Sequence, residues 1–395
     1  MSRPLIVYGF SASLSAGFYT GQPDFLRRAG YDVAVISSPG VEAEELAKGE
    51  GAALFPIEIA REISPLRDLR SLLQIYRLLR KLRPALTNFG TPKAGMLGGL
   101  AAFAARVPGR VYTLHGLRLE TASGLRRALL WCAEWLACRT AHLTLCVSES
   151  LRKRAVELGV VHAGSARVLG SGTCNGVDAA RFGKQAEPEL RAALGIPSSA
   201  PVIGFVGRLV RDKGIPELVE AFQKISLTKP NLRLLLVGDF EAGDPVFPEV
   251  KRYIAQEPRI VRTGFVADVA PYYRLMQVLA LPTHREGFGA VSLEAQASGI
   301  PVVTTQATGV VDSVVDGVTG STVPVGDVQA LAREIDRLLD DPALRARMGS
   351  AGKARALRDF APEVIWKLLA ACYAELLSGA SPQPRLRELP ETKNA

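Results

Sequence analysis

Short continuous apolar runs alternate along this chain with stretches whose apolar residues recur every third or fourth position, the pattern of strands interleaved with helices. Leu5 to Phe10 is one such run. A Ser/Gly loop, a helix reaching Arg28 and a second strand from Tyr31 to Ile36 complete a strand–helix–strand unit. The alternation recurs with a helix from Pro65 to Arg83, a strand from Val111 to Leu114 ending at His115-Gly116, and a helix from Ser123 to Cys138. Leu143 to Val147 reads as a further strand, with Ser148 placed to cap a helix from Glu149 to Leu158. Such alternation implies a parallel, doubly wound sheet.

After Val168 the pattern loosens through Gly170 to Asp178, so a linker is placed at 176–198. A second series then follows, with strands at 202–206, 232–237, 260–262, 278–281 and 301–305 and helices at 215–227 and 290–298. Helices at 331–339 and 362–378 end the ordered part. The expected organisation is a first Rossmann-like domain over 1–178, a second over 179–360, a returning helix over 361–380 and a loose tail over 381–395.

Length agrees with two cores, since 395 residues exceed what one usually serves. A chain 48% hydrophobic and 22% charged is neither wholly disordered nor fibrous. The net charge of +9 points to an anionic partner, without choosing among nucleic acid, membrane and phosphorylated small molecule. Residues 1–180 carry 22 Lys and Arg against 14 Asp and Glu, so the first half holds nearly all of the excess. Cys132, Cys138, Cys146, Cys174 and Cys372 lack metal-type spacing, and their odd number fits a reducing cytosol. Neither a secretory signal nor a run of about 18 apolar residues is legible, so the expectation is a cytoplasmic protein, peripheral at most on the inner face of the cytoplasmic membrane.

The sharpest chemical signal is Glu286-Gly287-Phe288-Gly289-Ala290-Val291-Ser292-Leu293-Glu294, between a strand and a helix. Orphan amides and the dipole at a helix start bind phosphate, and glycines admit it to the backbone. Ala290 and Val291 are the expected amide donors. Glu294, one turn in, suits ribose hydroxyls, and Glu286 suits the sugar ring. Upstream, Gly207-Arg208 through Lys213-Gly214 puts two cations on a loop at the carboxyl end of a strand, where open α/β sheets bind ligands. Such cations can neutralise a departing nucleoside diphosphate. Taken singly, each of these residues also fits a solvated surface role.

Together these segments resemble the retaining GT-B glycosyltransferases of family four, the group 1 glycosyl transferases, nearest the capsular, O-antigen and undecaprenyl-diphosphate-oligosaccharide branch. The resemblance implies an α/β chain of two Rossmann-like domains facing across a cleft, with a C-terminal helix, including Trp366, crossing back to the first. It implies Arg208 and Lys213 at the diphosphate, Glu294 at the ribose, Glu286 near the transferred sugar, and the backbone after Phe288, Gly289 to Val291, at phosphate. Val266 is a further implied donor contact, Gly17 matches a glycine-rich loop more weakly, and His115 matches a histidine facing the donor sugar. From the residues alone His115 could equally be a packed structural group. Asp312 stands where many relatives carry glutamate, which leaves its role open.

The activity so implied is transfer of a hexose or N-acetylhexosamine from a UDP-linked donor to a lipid-linked saccharide, with retention, without cofactor or metal and without nucleic acid as partner. No hydrolase triad order, zinc signature or Asp-x-Asp is present. A sugar-nucleotide epimerase, a phosphorylase and a non-catalytic nucleotide-sugar sensor are the rival readings. The helix from Leu66 to Arg83 combines an apolar stripe with six basic residues, which suits either an anionic membrane or an ordinary core-packed helix. The clusters Arg126-Arg127 and Arg152-Lys153-Arg154 extend the basic character.

Overall fold

The computed structural model describes residues 3–60, 64–183 and 188–379. Its contacts divide the chain into two units, one formed by residues to Gly176 together with the chain from Pro362 onward, the other by Val177 to Ala361. The expected tail over 381–395 lies outside the described residues.

In the first unit the strands are β1 (Leu5–Phe10), β2 (Asp32–Ser37), β3 (Ala53–Pro56), β4 (Leu86–Gly90), β5 (Gly109–Leu114), β6 (Leu143–Cys146) and β7 (Ala166–Arg167). They lie in the order β3-β2-β1-β4-β5-β6-β7, and every pairing is parallel. The strands are buried as near-continuous runs because helices cover both faces. In the second unit β8 (Val202–Val206), β9 (Arg233–Val237), β10 (Ile260–Gly264), β11 (Val278–Leu281), β12 (Val302–Thr305) and β13 (Gly320–Val323) form a parallel sheet in the order β10-β9-β8-β11-β12-β13. Strand order reverses between β1 and β4 in one sheet and between β8 and β11 in the other. The loops leaving these strands flank the crevice in which such sheets bind ligands.

Several elements were not legible in the apolar pattern. The strand β4 reads Leu-Thr-Asn-Phe-Gly, yet all five residues are buried. Asn88 is tolerated there because its amide donates to Tyr373 Oη at 2.7 Å and its carbonyl accepts from Thr113 at 2.8 Å. The helix Pro92–Ala104 is rich in glycine and carries no apolar stripe. A Cβ at Gly95 would strike Tyr112, one at Gly98 would strike Phe89, and one at Gly99 would strike Thr140, so the glycines let this helix approach its neighbours closely. Helix Pro342–Asp359 was also unpredicted. The expected Ser/Gly loop after β1 contains a 3-10 helix, Ser13–Tyr19, and the expected linker carries the short helices Ala179–Phe182 and Pro188–Ala193.

The helix Pro362–Leu377 packs in the first unit through a polar and an apolar seam. Arg167, whose side chain is 1% exposed, pairs with Glu375 at 2.7 Å. Tyr373 meets Tyr8 Oη at 3.3 Å, and Trp366 Nε1 donates to Asn175 Oδ1 at 2.7 Å. Gly21, at φ 86°, has no room for a Cβ against the Trp366 ring.

Among the described residues no helix is long and apolar enough to cross a membrane. On the helix Pro65–Leu82 the buried positions are Ser71, Ile75 and Leu79. Leu66, Leu69 and Leu73 of the expected stripe face solvent. The stripe is therefore wider than the face the core accepts.

Candidate active site

The loop after β8 and the loop after β11 converge through their backbones. Gly214, at φ 72°, lies so close to the Pro282 carbonyl that a Cβ would overlap it, and Gly309, at φ 85°, is equally close to the carbonyls of Glu286 and Gly287. Asp212 ties the first loop to the second, since its carbonyl accepts from the His284 amide at 2.8 Å and from Thr283 Oγ1 at 3.0 Å. Its carboxylate pairs with Arg285 at 2.6 Å, and its amide donates to Asp244 Oδ2 at 2.7 Å. Sequence reasoning missed Asp212, Asp244 and Arg285 because each is an ordinary charged loop residue until the two loops are seen together.

This lashing brings Lys213 to Glu286, and the two form an ion pair with little solvent exposure on either side chain. Arg208 is half-exposed and pairs with Glu241 at 2.8 Å. Behind them the helix Ala290–Ala297 starts at Gly289, which takes φ 86° and offers no side-chain cap. Phe288 is buried against Phe360, with ring centroids 5.4 Å apart. The amides of Ala290 and Val291 precede the first intrahelical bond, so they are available to an anion. Glu294 accepts from Tyr273 Oη at 2.6 Å, and burial raises its carboxyl above the ordinary value. Two cations, two carboxylates and a bare helix start thus share one end of one sheet.

The other expected residues fall as follows. Val266 follows β10, separated from β8 by β9, and is half-buried. Asp312 lies in the 3-10 helix Val310–Ser313, where its carbonyl accepts from Arg355 at 2.8 Å. His284 pairs with Glu217 at 2.7 Å, which raises its pKa and lowers that of Glu217. In the first unit His115 follows β5, half-buried, with Nε2 3.3 Å from Tyr19 Oη and the ring stacked on Phe18 at 5.2 Å. Burial pushes its pKa down to about 4, so the ring is neutral at physiological pH. Gly17 is exposed, and a Cβ there would meet nothing within 4 Å among the described residues, none of which demands glycine at that position. The demand falls instead on Gly90, where a Cβ would overlap Tyr19 Oη. Of the basic clusters, Arg152 is taken up by Glu149 and Arg154 by Glu120 and Glu157, whereas Arg126 and Arg127 are exposed.

Known proteins share both halves. The family model for glycosyl transferases group 1 matches residues 186–355, and that for Glycosyltransferase Family 4 matches residues 24–181. The chain is 37% identical over 380 residues to the capsular polysaccharide biosynthesis glycosyltransferase CapM of Staphylococcus aureus, spanning 95% of this chain and 98% of that protein. Among solved structures, Anabaena HepE in complex with UDP-glucose superposes with a TM-score of 0.79 at 25% identity, over 95% of this chain and all of that one. Sucrose-phosphate synthase from Thermosynechococcus elongatus superposes with a TM-score of 0.77 at 22% identity, over 96% of this chain and all of that one, a likeness of fold. With both sheets in Rossmann order and a relative matched almost end to end, the chain belongs to the group 1 glycosyl transferases of family four, glycosyltransferases of GT-B fold.

Proposed function

We propose that the protein transfers a hexose or N-acetylhexosamine, with retention and without a metal ion, from a UDP-linked donor to a lipid-linked saccharide in the synthesis of a cell-surface polysaccharide such as a capsule. The observation that carries this reading is the pairing of Lys213 with Glu286 beside Arg208, in front of the helix start at Gly289. Without a donor, the cation and the carboxylate satisfy each other. A bound nucleotide sugar offers each a better partner, with Lys213 and Arg208 moving to the diphosphate and Glu286 to sugar hydroxyls. The amides of Ala290 and Val291 hold phosphate oxygens, and Glu294 receives the ribose. In the transition state, charge grows on the leaving diphosphate, and fixed cations and amides stabilise it more than they stabilise the ground state. The acceptor hydroxyl attacks from the face the leaving group vacates, and the departing phosphate takes its proton.

UDP is preferred as carrier because HepE is described in complex with UDP-glucose, and the polysaccharide setting follows CapM. Peripheral attachment to the inner face of the cytoplasmic membrane is supported by outward Leu66, Leu69 and Leu73 beside Arg67 and Arg70, and by outward Leu125 and Leu129 beside Arg126 and Arg127. A thermal-shift series with nucleoside diphosphates tests the donor, since a ligand at 100 times its Kd stabilises by about 2.7 kcal/mol. UDP and one UDP-sugar should raise Tm, and Glu286→Gln and Lys213→Ala should each cut sugar transfer while remaining folded. Near-wild-type transfer in both variants refutes the site. Loss of transfer in EDTA, restored by a divalent ion, refutes metal independence, and equal co-sedimentation with neutral and anionic vesicles refutes the membrane reading.

A further inference from the structure

His115 has a buried phenol, that of Tyr19, against its Nε2. Tyr19 is 2% exposed, stacked on Phe10 with ring centroids 5.3 Å apart and packed on Tyr8 at 5.1 Å. Gly90 closes the third side, where any Cβ would overlap the Tyr19 hydroxyl and lie 2.8 Å from His115 Nε2. The phenol is held in one place. Its hydroxyl is 3.3 Å from His115 Nε2 and has no other hydrogen-bond partner among the described residues, so the buried O–H is satisfied when it donates to that nitrogen. A neutral imidazole that accepts at Nε2 carries its own proton on Nδ1. Among the described residues Nδ1 has no hydrogen-bond partner, and the ring is half-buried beneath Phe18, itself 44% exposed.

We propose that Tyr19 is a positioning residue that locks His115 as the Nδ1–H tautomer, leaving that N–H as a donor for a sugar oxygen of the substrate. The proposal rests on the reading of the protein as a sugar transferase with His115 in its site. Burial keeps the ring neutral and the Tyr19 phenol protonated, so tautomer rather than charge is the variable that Tyr19 controls. Phenylalanine at position 19 would keep the packing on Phe10 and Tyr8 and remove only the proton donor.

The test is nitrogen-15 NMR of the imidazoles, tractable with four histidines in the chain, with His115 assigned from the signal missing in His115→Asn. The wild type should show Nδ1–H. In Tyr19→Phe the Nε2–H population should rise, and turnover at saturating donor should fall roughly 2- to 12-fold, the span of one net hydrogen bond. An Nε2–H signal in the wild type, or an unchanged tautomer in Tyr19→Phe, overturns the locking role. Full turnover in His115→Asn overturns the substrate contact, while the spectra still decide separately whether Tyr19 sets the ring.

Discussion

Glu134→Gln should change how stability depends on pH, and the structure sets the size of the effect. Glu134 lies on the helix Gly124–Thr140 and is 1% exposed. Its Oε2 accepts from Tyr112 Oη at 2.6 Å, and Oε1 is buried without a hydrogen-bond partner among the described residues. Burial outweighs that hydrogen bond and pushes the carboxyl from its ordinary value near 4.5 up to about 7. Below pH 4.5 the folded and unfolded chains both hold the proton, and no penalty applies. Between 4.5 and 7 the unfolded chain releases it while the folded chain keeps it, so stability falls as pH rises, and above 7 the loss is constant. At 1.36 kcal/mol for each unit, the full loss is about 3 kcal/mol. Glutamine cannot ionise, although its amide group adds a buried donor that costs about 1–3 kcal/mol at every pH. The variant should therefore be the less stable protein at pH 5 and gain on the wild type by about 2 kcal/mol or more by pH 8. Urea unfolding of both proteins across that range measures the difference. A difference between the two that stays constant within about 0.5 kcal/mol from pH 5 to 8 refutes the reasoning.

Three further outcomes are expected. Lys213→Met should weaken UDP binding by about 10- to 100-fold in calorimetry, from the loss of a charge-assisted contact and the stranding of Glu286. Gly309→Ala should cost about 1–3 kcal/mol in urea unfolding and lower turnover, because it strains φ at 85° and pushes on the Glu286 carbonyl. Arg167→Met should cost about 1.5–3 kcal/mol, since it removes the charge-assisted hydrogen bonds to Glu375, and should speed hydrogen exchange in the helix Pro362–Leu377 before that of the second unit.

The apolar runs of β1, β2, β8, β9 and β11 were legible because strands buried on both faces are mostly apolar, a local property that needs no knowledge of the partners. The Glu286 to Glu294 segment was legible for a similar local reason. A glycine-led helix start and a carboxylate one turn later need only chain geometry to lie together. What the sequence could not disclose depended on residues far apart in number. Asn88 passes as a strand residue only because Tyr373 and Thr113 satisfy it, and Gly95, Gly98 and Gly99 pass as helical only because Tyr112, Phe89 and Thr140 occupy the space their side chains would fill. The lashing of Asp212 to Arg285 and of Tyr19 to His115 likewise joins loops that leave different strands. Sequence by itself determined the fold class and the glycine-led helix start, because periodicity and chain reversal are local properties. Tertiary structure decided which charges pair, which glycines are obligatory and which nitrogen of His115 is engaged, because hydrogen bonds and steric exclusion act through space between segments that one-dimensional spacing does not relate.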